Sequence, residues 1–173
     1  MAKEKTTSIN RRDDMISAAI EVFAETGYYR ATTAQVAERA QISQPYIFRF
    51  FKTKEELLLS ALEVSWTRVI DSFRKVVETA EPERLEADLI RAYEQILESH
   101  KSEILLQTQA QTIREDVIRQ AMQKGIGEVR AMVLKAFMDA GIAEAEERTK
   151  IFLAVGLLCN MSTALDMPEL MGK

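Results

Sequence analysis

Residues 32–57 read TTAQVAERAQISQPYIFRFFKTKEEL, and this stretch is the most informative part of the chain. Its apolar spacing predicts a short helix over Thr33–Ala40, a turn at 41–43, a second short helix over Gln44–Phe51 and the start of a longer helix. Two short helices joined by a tight turn form a helix-turn-helix, which can place its second helix in the major groove of DNA. The stretch therefore indicates a class of function before the rest of the chain is considered.

Local chemistry favours each of these helix starts. Thr32 and Thr53 are each followed three residues later by Gln or Glu, the pattern of a capping box. Ser43 can cap the helix between them, and Pro45 suits a first turn because the N–H it lacks would have no partner there. Three starts within about 25 residues carry more weight than a single capping pattern.

The same residues resemble the DNA-binding domain of the TetR family of bacterial regulators. The shared pattern is a helix that ends in Gly27-Tyr28, a Thr-capped helix, a Ser-x-Pro-x-hydrophobic-aromatic run, and then Lys-Glu and Leu. It covers about residues 11–62. The resemblance implies an all-α chain in which a three-helix helix-turn-helix domain precedes a helical ligand-binding and dimerisation domain.

Three positions depart from the family pattern. Gln41 stands where Gly is usual, so a left-handed backbone there would cost about 1 kcal/mol. Phe48 and Phe50 stand where many members carry Tyr or His, whose polar tips contact phosphate. Phe cannot form those hydrogen bonds, and Arg49 between the two is expected to supply a phosphate contact instead.

Candidate DNA contacts lie along the helix-turn-helix. A guanidinium at Arg49 can fork onto guanine or clamp a phosphate, although a surface Arg paired with an acid is the alternative. Phe48 fits either a DNA contact or the core. The predicted DNA-binding residues are Thr33, Ser43, Gln44, Pro45, Tyr46, Phe48, Arg49, Phe50 and Lys54.

The resemblance and the periodicity divide the chain into two domains. Residues 1–54 form the predicted DNA-binding domain, with a flexible basic arm at 1–9, and residues 55–173 form the second domain. Apolar residues at helical spacing predict helices over about 10–26, 53–79, 82–100, 102–111, 114–140 and 144–167. The helix over 53–79 contains no Gly or Pro and would connect both domains.

The last two helices are candidates for a homodimer interface. Residues 151–165 are apolar on nearly every side, so more than one face must be buried. A second stripe runs from Met122 to Phe137 and includes Ile126, Val129, Val133 and Ala136. The family resemblance implies that both helices pair with their copies across a two-fold axis. A helix buried wholly within one chain is the alternative.

The resemblance also implies a ligand cavity in the second domain. Its predicted lining is Trp66, Ile70, Phe73, Tyr93, Leu97, His100, Leu106, Gln107 and Asn160. An ordinary apolar core is the alternative for each of these residues. Buried Gln107 or Asn160 would be most informative, because a polar group in an apolar cavity needs a partner that a ligand can supply. The expected effector is a small apolar or aromatic molecule.

The composition of the chain excludes several classes of protein and of binding site. The net charge of −4 divides into +1 for residues 1–60 and −5 for 61–173, so DNA binding would depend on a local basic patch. One Cys, one His and no Gly-rich phosphate loop predict no disulfide framework, metal site, cofactor or catalytic residues. The polar N-terminus and a longest uncharged run of 15 residues predict no signal peptide or membrane span, and a cytoplasmic location.

These observations predict a TetR-like transcriptional regulator rather than an enzyme. Its partners would be double-stranded operator DNA, a small-molecule effector and a second copy of the chain. Release of a repressor from a palindromic operator by the effector is the expected mechanism. Two alternatives stay open: a ligand-independent architectural or cell-division factor of the same fold, and a helical adaptor that no longer binds DNA.

Overall fold

The computed structural model describes the backbone of residues 2–172 and the side chains of residues 11–172. This part of the chain forms eight α-helices and a closing 3₁₀-helix without any strand, which confirms the all-α prediction. No helix among the described residues has the length and apolar character needed to cross a bilayer. The helices are α1 Ala2–Thr26, α2 Thr33–Arg39, α3 Gln44–Ile47, α4 Lys54–Thr79, α5 Leu85–Ser99, α6 Lys101–Ala110, α7 Asp116–Asp139, α8 Ala145–Leu165 and the 3₁₀-helix Pro168–Met171.

Capping side chains fix the starts of α2 and α4. Thr32 Oγ1 accepts from Gln35 N at 3.2 Å, and Gln35 Oε1 accepts from Thr32 N at 2.8 Å, so the first capping box is complete. Thr53 Oγ1 likewise accepts from Glu56 N at 3.0 Å. The Glu56 carboxylate accepts from Lys52 N at 2.7 Å, one residue earlier than a capping box requires. The second predicted box is therefore only half formed.

The first helix is longer than the sequence predicted. It begins at Ala2 rather than near residue 10, so the segment 2–9 that was predicted as a flexible arm is helical. No Gly or Pro interrupts residues 2–26, and several are good helix formers, so the backbone has no local reason to leave the helix. Gly27 ends it with a φ of +77°, which an L-residue rarely adopts.

Two hydrophobic cores share α4. The first core joins α1, α2, α3 and the start of α4, and it also takes in Leu106 and Ala110 of α6. The second core is built from α4 to α8. At its centre Phe152 packs edge-on against Phe73 and Phe137, with ring centroids 5.7 and 6.2 Å apart. Because α4 runs unbroken through both cores, it connects the two parts of the chain as one rigid element.

Candidate DNA-binding surface and ligand cavity

A hydrogen bond joins the starts of the two helices in the helix-turn-helix. Gln44 Nε2 donates to Thr33 Oγ1 at 2.9 Å, so two predicted DNA-binding side chains hold each other in place. In the turn between the helices Gln41 has a φ of +54°, which confirms the predicted left-handed backbone. Ile47 and Phe51 are buried beneath α3, as predicted, and anchor it to the first core.

The second of these helices is shorter than predicted. The α-helix ends at Ile47, and the chain then continues to Phe51 in turns, with Arg49 N bonded to Tyr46 O and Phe50 N to Ile47 O. Ser43 occupies the N-cap position without a side-chain hydrogen bond, contrary to its predicted role. The reason is local: Pro45 has no N–H to offer, and the N–H of Tyr46 bonds to the Ser43 carbonyl.

The outer side of α3 and the turn after it presents several kinds of group that can read DNA. Ser43, Gln44, Pro45, Phe48 and Arg49 are exposed, while Tyr46 and Phe50 are half-buried. The Tyr46 and Phe50 rings meet edge to face at 5.4 Å, and the Arg49 guanidinium lies 5.4 Å from the centre of the Tyr46 ring.

Arg49 has no ion pair among the described residues, so its guanidinium stays available for a phosphate or a guanine. Phe48 is 47% exposed, which places it outside the core and leaves its ring free to meet a thymine methyl group.

Lys54 is held by the loop before α2. Its Nζ donates to Tyr28 O at 2.7 Å and to Ala31 O at 3.0 Å, and it lies 4.5 Å from the centre of the Tyr28 ring. These contacts fix residues 28–31 against the start of α4. Its predicted phosphate contact stays a prediction, with the ammonium already engaged by backbone carbonyls.

Arg30 is a cation that the sequence prediction missed. It is exposed and lies two residues before Thr32, the N-cap of α2. It is therefore close to the N-terminus of the first helix of the helix-turn-helix. Nearby, Arg39 is bound to Glu21 and Glu25 of α1, each at 2.7 Å. The hydrogen bond from Arg39 lowers the pKa of Glu25. Arg39 therefore fixes α2 on α1, whereas Arg30 remains available to a phosphate.

Further contacts join the DNA-binding part to α6 and α7. Gln109 Nε2 donates to Ala24 O at 2.6 Å, which satisfies one of the last carbonyls of α1. The Tyr29 hydroxyl donates to Glu115 Oε2 at 2.9 Å. The first three helices thus rest on the α6–α7 connection as well as continuing into α4.

A cavity of about 320 Å³ lies among α4, α5, α6, α7 and α8. Five of the nine predicted lining residues border it: Trp66, Phe73, Tyr93, Gln107 and Asn160. The other four predicted residues lie elsewhere. Ile70 is buried in the second core and Leu106 in the first, Leu97 packs half-buried on the second core, and His100 lies between α5 and α6, 3.7 Å from the Glu103 carboxylate.

The sequence prediction also missed much of the cavity wall. The additional lining comes largely from α7 and α8 and includes Arg119, Met122, Gln123, Ile126, Val129, Phe152, Val155 and Leu157. Helical periodicity had identified Met122, Ile126 and Val129 as apolar, but it cannot tell which surface an apolar stripe will meet. Those residues had been assigned to the dimer interface.

Most polar groups in the wall are already paired. Gln107 Nε2 donates to Ser65 Oγ at 2.6 Å, and the Tyr93 hydroxyl donates to Asn160 Oδ1 at 2.6 Å. Burial raises the pKa of Tyr93 to about 12. The indole Nε1 of Trp66 is buried without a hydrogen-bond partner among the described residues. The wall is thus mainly apolar, with a few fixed polar points.

Gly125 sets the distance between α7 and α4. A Cβ atom at this position would lie 2.2–2.5 Å from atoms of the Trp66 ring, closer than real Cβ contacts. The absence of a side chain therefore lets the indole pack directly against the α7 backbone. This contact fixes the part of α4 that borders the cavity.

The two predicted dimer surfaces differ in burial: the α7 surface is mostly buried within the chain, and the α8 surface is exposed. In α7 most of the predicted stripe is buried in the chain's own second core, including Val129, Val133, Ala136 and Phe137. This corrects their assignment to a subunit interface, because these side chains are already buried against other helices of the same chain. In α8 the large exposed apolar residues are Ile151, Leu157, Leu158, Met161 and Leu165.

Comparison with known proteins identifies the domain that this surface belongs to. Residues 15–61 match the bacterial regulatory proteins of the tetR family. These residues therefore form a DNA-binding domain of the TetR type. The HTH-type transcriptional activator FasR of Mycolicibacterium smegmatis is 32% identical over 74 residues, which are 43% of this chain and 34% of that relative. The chain therefore spans about a third of the length of that curated relative.

Solved structures show that the likeness in fold extends over most of the chain. The fatty acid degradation regulator FadR from Bacillus halodurans gives a TM-score of 0.75 at 18% identity and covers 89% of this chain and 88% of its own. FadR from Bacillus subtilis in complex with stearoyl-CoA gives 0.74 at 18% identity, with coverages of 88% and 87%. At this identity the likeness establishes the fold alone.

Proposed function

We propose that this chain is a homodimeric, cytoplasmic transcriptional regulator that binds a two-fold-symmetric operator and is released from it by a small apolar ligand. The observation that carries the proposal is the exposed Arg49 on a helix-turn-helix whose two helices are fixed by the Thr33–Gln44 hydrogen bond. A rigid pair of helices with an available guanidinium supplies both the geometry and the group for reading a base edge.

Dimerisation supplies the second half of the recognition surface. The apolar face of α8 supports pairing with a second copy, since a single chain leaves Ile151, Met161 and Leu165 about half exposed. Two recognition helices must then lie about 34 Å apart, or a multiple of it, to meet successive major grooves. In this proposal ligand entry tilts α4 and changes that spacing.

The cavity supports an apolar ligand as the signal. Its volume of about 320 Å³ falls at the lower end of the 300–1,000 Å³ typical of small-molecule sites. The structural neighbour that was solved with stearoyl-CoA makes acyl-bearing compounds the first class to test. Release of the operator by such a compound would support a ligand-responsive regulator over a ligand-independent factor of the same fold.

The DNA-binding part of the proposal can be tested by gel shift with the DNA upstream of the protein's own gene. Arg49→Ala should weaken specific binding by about 1–3 kcal/mol, or roughly 5- to 150-fold, if the guanidinium reads a base. The control is Arg91→Ala, which removes an exposed arginine from α5 and should leave the affinity unchanged. Equal operator affinity for both variants would contradict the assignment of Arg49.

A further inference from the structure

The wall of the cavity is incomplete on one side. Its inner lining is buried, as at Phe73, Gln107 and Val129. Two apolar lining residues are instead well exposed: Ile126 of α7 at 39% and Leu157 of α8 at 41%. An apolar ligand in this space would therefore keep part of its surface in water, on the side where α7 and α8 face outward.

Leu157 also belongs to a second apolar feature, on the outside of α8. The exposed apolar residues of this helix form one stripe along it, the α8 stripe: Ile151, Ala154, Leu157, Leu158, Met161, Ala164 and Leu165. The whole segment 151–165 contains no charged residue. The stripe and the open side of the cavity thus meet at a single side chain.

We propose that a second copy of this chain forms the outer wall of the cavity. Its α8 stripe would lie over the same stripe of the first copy, covering Leu157 and, beside it, Ile126. The occupant is a second copy because an uncharged helix face can pair with itself across a two-fold axis without opposing like charges. This inference rests on the homodimer of the proposed function and adds that each ligand site is complete only in the dimer.

A thermodynamic consequence follows from a shared wall. A ligand that is fully enclosed only in the dimer binds the dimer more tightly than the monomer. By linkage each bound ligand must strengthen dimerisation by that same factor, so two ligands strengthen it by the factor squared. The ligand would then have two effects: it would stabilise the dimer, and it would change the distance between the two recognition helices.

The probe for the test is N-phenyl-1-naphthylamine, an uncharged apolar dye that absorbs where tryptophan emits. Trp66 borders the cavity and is the only tryptophan of the chain, so energy transfer to the dye reports binding at this site. The wild-type chain should bind the dye about tenfold more weakly when diluted below its dimer dissociation constant. Saturating dye should strengthen dimerisation in sedimentation equilibrium by the square of that factor, about 100-fold, because each dimer holds two dye molecules.

A variant on the stripe tests the inference without altering the cavity lining. Met161 is 53% exposed on α8 and does not border the cavity. Met161→Glu should give a monomer that binds the dye as weakly as the diluted wild type. Ala87→Glu adds the same charge to an exposed position of α5 and should leave both dimerisation and dye binding unchanged.

Several results would overturn the shared wall. They are a dye affinity that does not depend on protein concentration, a folded Met161→Glu monomer that binds the dye like the wild type, and no energy transfer at any concentration. If the variant fails to fold, the dilution series on the wild type decides alone. Operator binding with concentration-independent dye affinity would reject this inference and leave the regulator proposal intact. If operator binding is absent but dye affinity depends on protein concentration, the regulator proposal is rejected and the shared wall is supported.

Discussion

Burial of the Tyr93 hydroxyl, which donates to Asn160, makes the stability of the cavity wall depend on pH. The O···O distance of this hydrogen bond is 2.6 Å, and burial holds the pKa of Tyr93 at about 12, above its ordinary value of 10. An unfolded chain would release this proton near pH 10, while the folded chain keeps it until near pH 12. The stabilising effect of the neutral phenol is therefore complete below pH 10 and is lost as the pH rises through 12.

Replacing Tyr93 by Phe separates the two effects of the hydroxyl. At pH 8 Tyr93→Phe should lower the free energy of unfolding by about 1–3 kcal/mol, because Asn160 Oδ1 loses its donor in a buried site. At pH 11 the difference from the wild type should shrink by about 1.4 kcal/mol, since only the wild type carries the raised pKa. Urea titrations at both pH values measure this difference, and a constant gap would rule out the pKa effect.

At the scale of single residues, the sequence predicted which side chains are exposed better than it predicted their hydrogen-bond partners. Arg49 and Gln44 are exposed where the helix-turn-helix pattern places them. The hydrogen bonds of Lys54 could not be predicted, because its carbonyl partners lie in a loop about 25 residues away along the chain. Leu106 was assigned to the cavity with its neighbour Gln107, but successive helix positions point about 100° apart and only Gln107 borders it.

The packing of α4 on α7 depends on one glycine. Gly125→Ala should lower the free energy of unfolding by about 1–3 kcal/mol, because the new methyl group would overlap the Trp66 ring. Gly127 is the matched control, two residues along the same helix, with nothing within 4 Å of an added Cβ. Gly127→Ala should stabilise the chain by about 0.5–1 kcal/mol through helix propensity. Urea unfolding of both variants should show opposite signs, and equal signs would contradict the close contact.

At the scale of elements, caps and glycines made most boundaries predictable. The Thr32 capping box begins α2, and the left-handed backbone of Gly27 ends α1. Both signals depend only on a few neighbouring residues. The early end of α3 was not predictable in this way, because Phe48 to Phe51 would suit a helix equally well. The α7 stripe shows the same limit for packing, since periodicity defines an apolar face and tertiary structure decides what covers it.

The two cores should unfold together. The first core needs Leu106 and Ala110 from α6, and α4 belongs to both cores. Urea unfolding followed by Trp66 fluorescence and by far-ultraviolet circular dichroism should therefore give coincident transitions. A fragment of residues 1–54, the predicted DNA-binding domain, lacks the α6 contacts and most of α4, so it should not unfold cooperatively. Two separate transitions in the full chain would contradict this shared core.

Because α4 is long and unbroken, a small tilt at one end would produce a large displacement at the other. Its 26 residues extend about 39 Å from the helix-turn-helix past the cavity wall at Trp66. A tilt about one end moves the other by about 0.7 Å per degree, so about 5° corresponds to the 3.4 Å rise of one base pair. In a two-fold dimer the displacement would occur twice in opposite senses, so a tilt of about 5° in each subunit would shift the two helix-turn-helix units by about two base pairs relative to each other.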